Sequence, residues 1–189
     1  MERGRAMEEL LLRIENENVI KHSLQVEAIM RRLAEYFREE VELWGITGLV
    51  HDIDVERIKN DSRPHGVFGG DILECLSFDP TIVYAVRAHT ADSSLERRRK
   101  IDKALYCAGP MAHFIDCCGK LKGENEIESL DLNFVIEQYN NPDFMPNIDR
   151  KRIGTCTEME ISIEEFIELS LEAIKNIEKQ QNNQNGILA

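Results

Sequence analysis

The chain has 189 residues, 42% apolar and 31% charged, an ordinary globular composition that excludes a disordered or fibrous chain. A formal net charge of −12 gains no counterion-release affinity for a phosphate backbone. Nucleic acid is therefore not expected as a partner, whereas a small phosphorylated molecule is compatible wherever bound metal inverts the local field. No apolar run is long enough to span a membrane, and no apolar segment follows the mixed-charge start, so neither a membrane anchor nor a secretion signal is expected. Five cysteines without paired C-x-x-C spacing read as reduced thiols of a cytoplasmic protein.

Hydrophobic spacing is helical nearly throughout, and no alternating stretch is long enough for a strand, so the fold class expected is all-α, a compact helical bundle. A first helix is expected over about 5–15. A second, over about 17–38, carries Val19, His22, Val26, Ile29 and Leu33 on one face. The third, over about 40–52, contains Gly45 and Gly48, which leave room for another helix to approach. A polar irregular stretch, 54–63, precedes a short helix opened by Pro64. Asp79-Pro80 is an N-cap and first-turn proline for a helix to about 90, with Ile82, Ala85, Val86 and His89 inward. The next helix, about 100–121, holds Pro110 in its interior and should kink there. A loop over 122–129, a short helix near 131–139 and a turn or two near 148–158 follow. The last helix starts at a Ser162–Glu165 capping box and runs to about 180. Residues 1–180 read as one domain and 181–189 as a flexible tail.

The histidines are the informative feature. His22 and His89 lie on apolar helix faces, His51-Asp52 closes an otherwise apolar helix, and His65 is expected in the first turn of the helix opened by Pro64. An inward imidazole needs a partner for each ring nitrogen, and a buried carboxylate needs pairing or a metal. A lone inward histidine is more often satisfied by a carbonyl or water. Several of them, together with an aspartate, are hard to satisfy in one core except around a cation.

Five stretches resemble the HD-domain hydrolases, in particular small bacterial and archaeal members: Lys21-His22-Ser23-Leu24, Leu49-Val50-His51-Asp52-Ile53-Asp54, Pro64-His65-Gly66, Val86-Arg87-Ala88-His89 and Lys103-Ala104-Leu105-Tyr106. The closing segment, Ser162-Ile163-Glu164-Glu165-Phe166-Ile167, is also similar to that family's. The resemblance implies an HD-type helical bundle, with His22, His51 and Asp52 holding a first divalent ion. His65 and His89 would complete a second ion, bridged by Asp52. Imidazole and carboxylate donors suit manganese, iron, zinc, cobalt or nickel. The implied reaction is attack of metal-bound water on a small phosphoester such as a nucleotide, with Asp52 orienting the water.

The family pattern places an aspartate after Lys-Ala-Leu-Tyr-x-Ala and before proline, and this chain has Gly109 there. Three outcomes are open: the remaining donors suffice, His113 one turn later substitutes, or the site is impaired and the protein is a ligand-binding or regulatory relative. An oxygen-activating di-iron protein is a further alternative. Asp54 and Glu56 read as solvated loop charges, with an outer role beside His51 as the rival reading. The basic run Arg97 to Lys100 reads as a solvated helix start, with a phosphate clamp as its alternative. Neither the substrate nor the oligomeric state is legible.

Overall fold

Apolar residues spaced three and four apart along most of the chain need partner helices to cover them, and the computed structural model shows how they are covered. It describes residues 2–58, 63–123 and 127–187. Among these the chain forms nine α-helices, short 3-10 turns and no strand. In chain order they are α1 (Arg3–Leu11), α2 (Glu17–Phe37), α3 (Val41–Val50), α4 (Val67–Cys75), α5 (Pro80–Ala88), α6 (Lys100–Lys122), α7 (Leu132–Asn140), α8 (Arg150–Gly154) and α9 (Ile163–Ile187). A contiguous apolar core runs from Ala6 on α1 to Ile174 on α9. No described helix is long and apolar enough to cross a membrane.

Three central helices position the site. α2 begins where the Asn16 side chain accepts from the Asn18 N–H (2.9 Å), and it ends at Arg38 in the left-handed region (φ 59°). Its inner face, Val26, Ile29, Met30 and Leu33, is fully buried. α3 is buried from Trp44 through Val50, because α1, α2 and α5 all pack on it. Gly48 allows that approach: a Cβ there would lie 2.8 Å from the Val26 carbonyl oxygen, inside contact distance. At Gly45 the close neighbour is only the Arg31 side chain. α6 crosses α2 and carries Gly109 and Pro110 in its interior.

Charged residues tie the outer helices down. Buried Glu27 accepts from Arg3 of α1 (2.6 and 2.8 Å) and from Arg31 (2.9 Å). The capping box opening α9 forms as expected, with the Glu165 N–H donating to Ser162 Oγ (3.2 Å) and Glu165 Oε2 accepting from the Ser162 N–H (3.2 Å).

Some boundaries differ from expectation. Pro64 does not open α4. Gly66, with φ 79°, turns the chain first, so His65 precedes the helix rather than lying in its first turn. The helix through Pro110 continues on both sides, to Lys122. α9 extends to Ile187, past the expected end near 180; the side chains of 181–187 and all of Leu188-Ala189 lie outside the described residues. Parts of the two expected loops, 59–62 and 124–126, lie outside them too.

Candidate metal centre

Four parts of the chain deliver the side chains of a single cluster. α2 presents His22, the end of α3 presents His51 and Asp52, the turn before α4 presents His65, and the end of α5 presents His89. The Asp52 carboxylate lies at the centre, with its two oxygens facing opposite ways. Oδ2 is 3.3 Å from His51 Nε2 and 3.9 Å from His22 Nε2. Oδ1 is 3.1 Å from His65 Nε2 and 3.5 Å from His89 Nε2. Two donor groups result, His22–His51–Asp52 and Asp52–His65–His89, each with its ligand atoms within 4.8 Å of one another.

On His51, His89 and His65 the other ring nitrogen is engaged, which fixes those rings. His51 Nδ1–H donates to the Gly48 carbonyl (2.7 Å) and His89 Nδ1–H to the Val86 carbonyl (2.6 Å), both carbonyls lying in the last turn of their helices. His65 Nδ1–H donates to Asp54 Oδ1 (2.8 Å). Asp54 corrects the reading of a solvated loop charge. It is fully buried, and its Oδ2 accepts from the N–H groups of Gly66 (3.0 Å) and Gly69 (2.9 Å). It orients His65 rather than His51. Glu56 serves elsewhere, accepting from the Glu15 and Asn16 N–H groups at the turn before α2.

Electrostatics follow from this arrangement. Burial opposes ionisation of Asp52, but the charge of His51 and hydrogen bonds from His51, His65 and His89 outweigh it and hold the carboxyl well below its usual range. Burial, reinforced by His51, lowers His22 to about 4. Burial would also lower His65, yet Asp52 and Asp54 on either side raise it to about 10. His89 is lowered, chiefly by burial. The donor types fit a divalent transition metal, with imidazole Nε2 atoms around an ionised carboxylate and a supporting carboxylate behind one ring; an ion there would displace the proton that the two aspartates otherwise keep on His65.

A cavity of about 570 Å³ opens on the cluster, lined in addition by Thr90, Gly109, Pro110, His113 and Arg152. Asp52 is the one carboxylate among its described lining residues. A Cβ on Gly109 would lie 3.9 Å from His51 Nε2 and 4.0 Å from Arg152 Nη2, ordinary contacts, so the position faces the cluster. His113 shares the cavity but is exposed, belongs to neither donor group, and has its Nε2 4.0 Å from Cys117 Sγ. Sequence reasoning missed Arg152 altogether. The basic run divides: Arg98 pairs with Glu96 in solvent, Arg99 with Asp102, Lys100 lies over Phe37, and Arg97 stacks on Tyr106.

The known proteins to which the chain is similar include Ribonuclease Y of Clostridium perfringens (strain SM101 / Type A), 31% identical over 80 residues, 42% of this chain and 16% of that protein. Ribonuclease Y of Desulforudis audaxviator (strain MP104C) is 29% identical over 80 residues, again 42% and 16%. That of Nitratidesulfovibrio vulgaris (strain DP4) is 30% identical over 77 residues, 41% and 15%. The chain thus spans only about a sixth of the length of these curated relatives. Their name withdraws support from the expectation, drawn from net charge, that nucleic acid is excluded. No solved structure matches the chain. The HD domain family model matches residues 19–129, more than half of the chain, and so the chain belongs to the HD domain family.

Proposed function

We propose that this HD-domain chain is a metal-dependent hydrolase of a small phosphoester, a nucleotide being the model substrate. HD domains bind divalent metals and make up a superfamily of metal-dependent phosphohydrolases. The observation that carries the reading is the Asp52 carboxylate, split between two pairs of imidazoles at the wall of one cavity. His22, His51 and Asp52 would hold one ion, and Asp52, His65 and His89 a second. Manganese, iron, zinc, cobalt and nickel all suit such donors. When bound, such ions acidify water and neutralise charge developing on phosphoryl oxygens.

The protein's own groups supply the rest. Asp52 is the acceptor that orients the attacking water between the two halves. Gly48 and Val86 carbonyls take the Nδ1 protons of His51 and His89 and leave Nε2 to face an ion, and Asp54 takes that of His65, whose second proton, held on Nε2 by Asp52, would leave when an ion binds. Two histidines and one carboxylate are a sufficient three-point set with open positions, so Gly109 does not by itself abolish the centre. The phosphodiester of RNA is the second reading, favoured by the name of the relatives.

The test is a panel of nucleoside monophosphates, para-nitrophenyl phosphate and a short RNA, offered to the manganese-loaded protein. Turnover of a monoester, abolished by Asp52→Asn, is the expected result. RNA cleavage alone would select the second reading. Absence of any turnover in protein that demonstrably holds metal would leave an HD-fold binding protein.

A further inference from the structure

Pro110 and Gly109 together create a place for a cation other than a metal. Proline has no N–H, so Pro110 leaves the Tyr106 carbonyl without its helical donor. Arg152 fills that gap: its Nε donates to Tyr106 O at 2.5 Å. Its Nη2 donates to the His89 carbonyl (2.7 Å), a free acceptor at the end of α5, where the helix dipole is negative. The guanidinium also lies over the Tyr106 ring, 4.6 Å from its centroid, and Arg97 stacks on that ring at 3.8 Å. α8, which carries Arg152, is held by Arg150, whose guanidinium donates to the carbonyls of Tyr139, Asn141 and Met145.

The Arg152 guanidinium is thus rigidly placed on the cavity wall, next to Gly109 and across from His51. Arginine has five N–H donors. Two of them meet backbone carbonyls, and the others have no hydrogen-bond partner among the described residues. No carboxylate lies within ion-pair distance of it among those residues, although burial disfavours its charge. A partly buried cation with unused, forked donors is stabilised by an oxyanion that fits the fork. A carboxylate at 109 would have been such a group; glycine leaves the donors to a ligand.

We propose that Arg152 is the substrate-recognition residue of this cavity, gripping a phosphoryl oxygen of a compact phosphomonoester while the reacting phosphorus faces the histidine cluster. The identity of the reacting group rests on the phosphohydrolase reading; the anion site at Arg152 does not. Arg152 lies beyond the 19–129 segment matched by the HD domain family model, so this recognition is supplied by the chain's own C-terminal part.

The experiment is calorimetric titration of inorganic phosphate into the manganese-loaded full-length protein, its Arg152→Gln and Arg152→Lys variants, with metal content and thermal melting measured alongside. Loss of a charge-assisted bond should lower phosphate affinity at least about tenfold in Arg152→Gln. Arg152→Lys, which keeps the charge and loses the fork, should fall between, with metal content unchanged in both. In steady-state kinetics the loss should appear mainly in KM. Wild-type phosphate affinity in folded Arg152→Gln would overturn the proposal, as would metal-loaded wild type that binds no phosphate. If Arg152→Gln fails to fold, Arg152→Lys decides, and unchanged affinity there overturns it. Phosphate binding that depends on Arg152 in a protein unable to hold metal would instead sink the hydrolase reading and leave the anion site standing.

Discussion

Asp54 shows how a single residue would tune the proposed metal centre without touching the ion. Its carboxylate is fully buried, receives two backbone N–H groups and fixes His65 through Nδ1. Asp54→Asn can keep one acceptor but removes the charge behind the ring. Affinity for the ion proposed at His65 and His89 should fall about 10–100-fold, the usual effect of losing such a partner. Chelator-competition titration measures this, and an unchanged constant would show that His65 needs no support. That these histidines and Asp52 converge was legible in the sequence, because inward histidines in a helical pattern are conspicuous. Asp54 was not, since a carboxylate in a polar stretch looks solvated until Gly66 and Gly69 are seen to wrap it. Arg152 was less legible still. Pro110 in mid-helix announces a free carbonyl at Tyr106, but the donor that fills it comes from 46 residues along the chain.

At the scale of elements, the α2–α3 contact sets the distance between His22 and His51. Gly48 sits where any Cβ meets the α2 backbone at 2.8 Å, and its own carbonyl orients His51. Gly48→Ala must push the helices apart. Stability should fall by about 1–3 kcal/mol, the usual range for overpacking, despite alanine's better helix propensity. Urea denaturation would reveal it, and an unchanged midpoint would contradict the packing described. The role of this glycine was readable from an apolar helix containing small residues, as were the caps of α5 and α9 from Asp79-Pro80 and Ser162–Glu165. The start of α4 was misread, because Pro64 suits a first turn and nothing local reveals that Gly66 adopts a positive φ.

Acidity acts on the whole molecule through ion pairs between elements. Asp71 on α4 accepts from Arg87 on α5 (2.7 Å) and from Arg63 (3.0 Å). Partial burial opposes its ionisation, but these guanidinium groups prevail and hold its carboxyl below the ordinary carboxylate value. A group depressed on folding contributes stability above its unfolded pKa, near 4 for aspartate, and loses it as pH falls through the folded value. Asp71→Asn should therefore lower stability by under about 1 kcal/mol at pH 7, after allowance for solvent screening, and flatten the loss below about pH 4. Thermal melts from pH 7 to 3 would detect this; parallel curves for the two proteins would contradict it.

The same whole-molecule view explains why five histidine and aspartate side chains from four parts of the chain meet. An all-helical core brings helix ends together, and carbonyls in the last helical turns of α3 and α5 orient the imidazoles of His51 and His89. Whether that meeting place holds metal decides the account. The most direct measurement is metal stoichiometry of the purified protein by elemental mass spectrometry, beside a His51→Ala variant shown to be folded by circular dichroism. One or two equivalents of a transition metal, reduced in the variant, is the predicted result. No bound metal, even after reconstitution with excess manganese, iron or zinc, would contradict it.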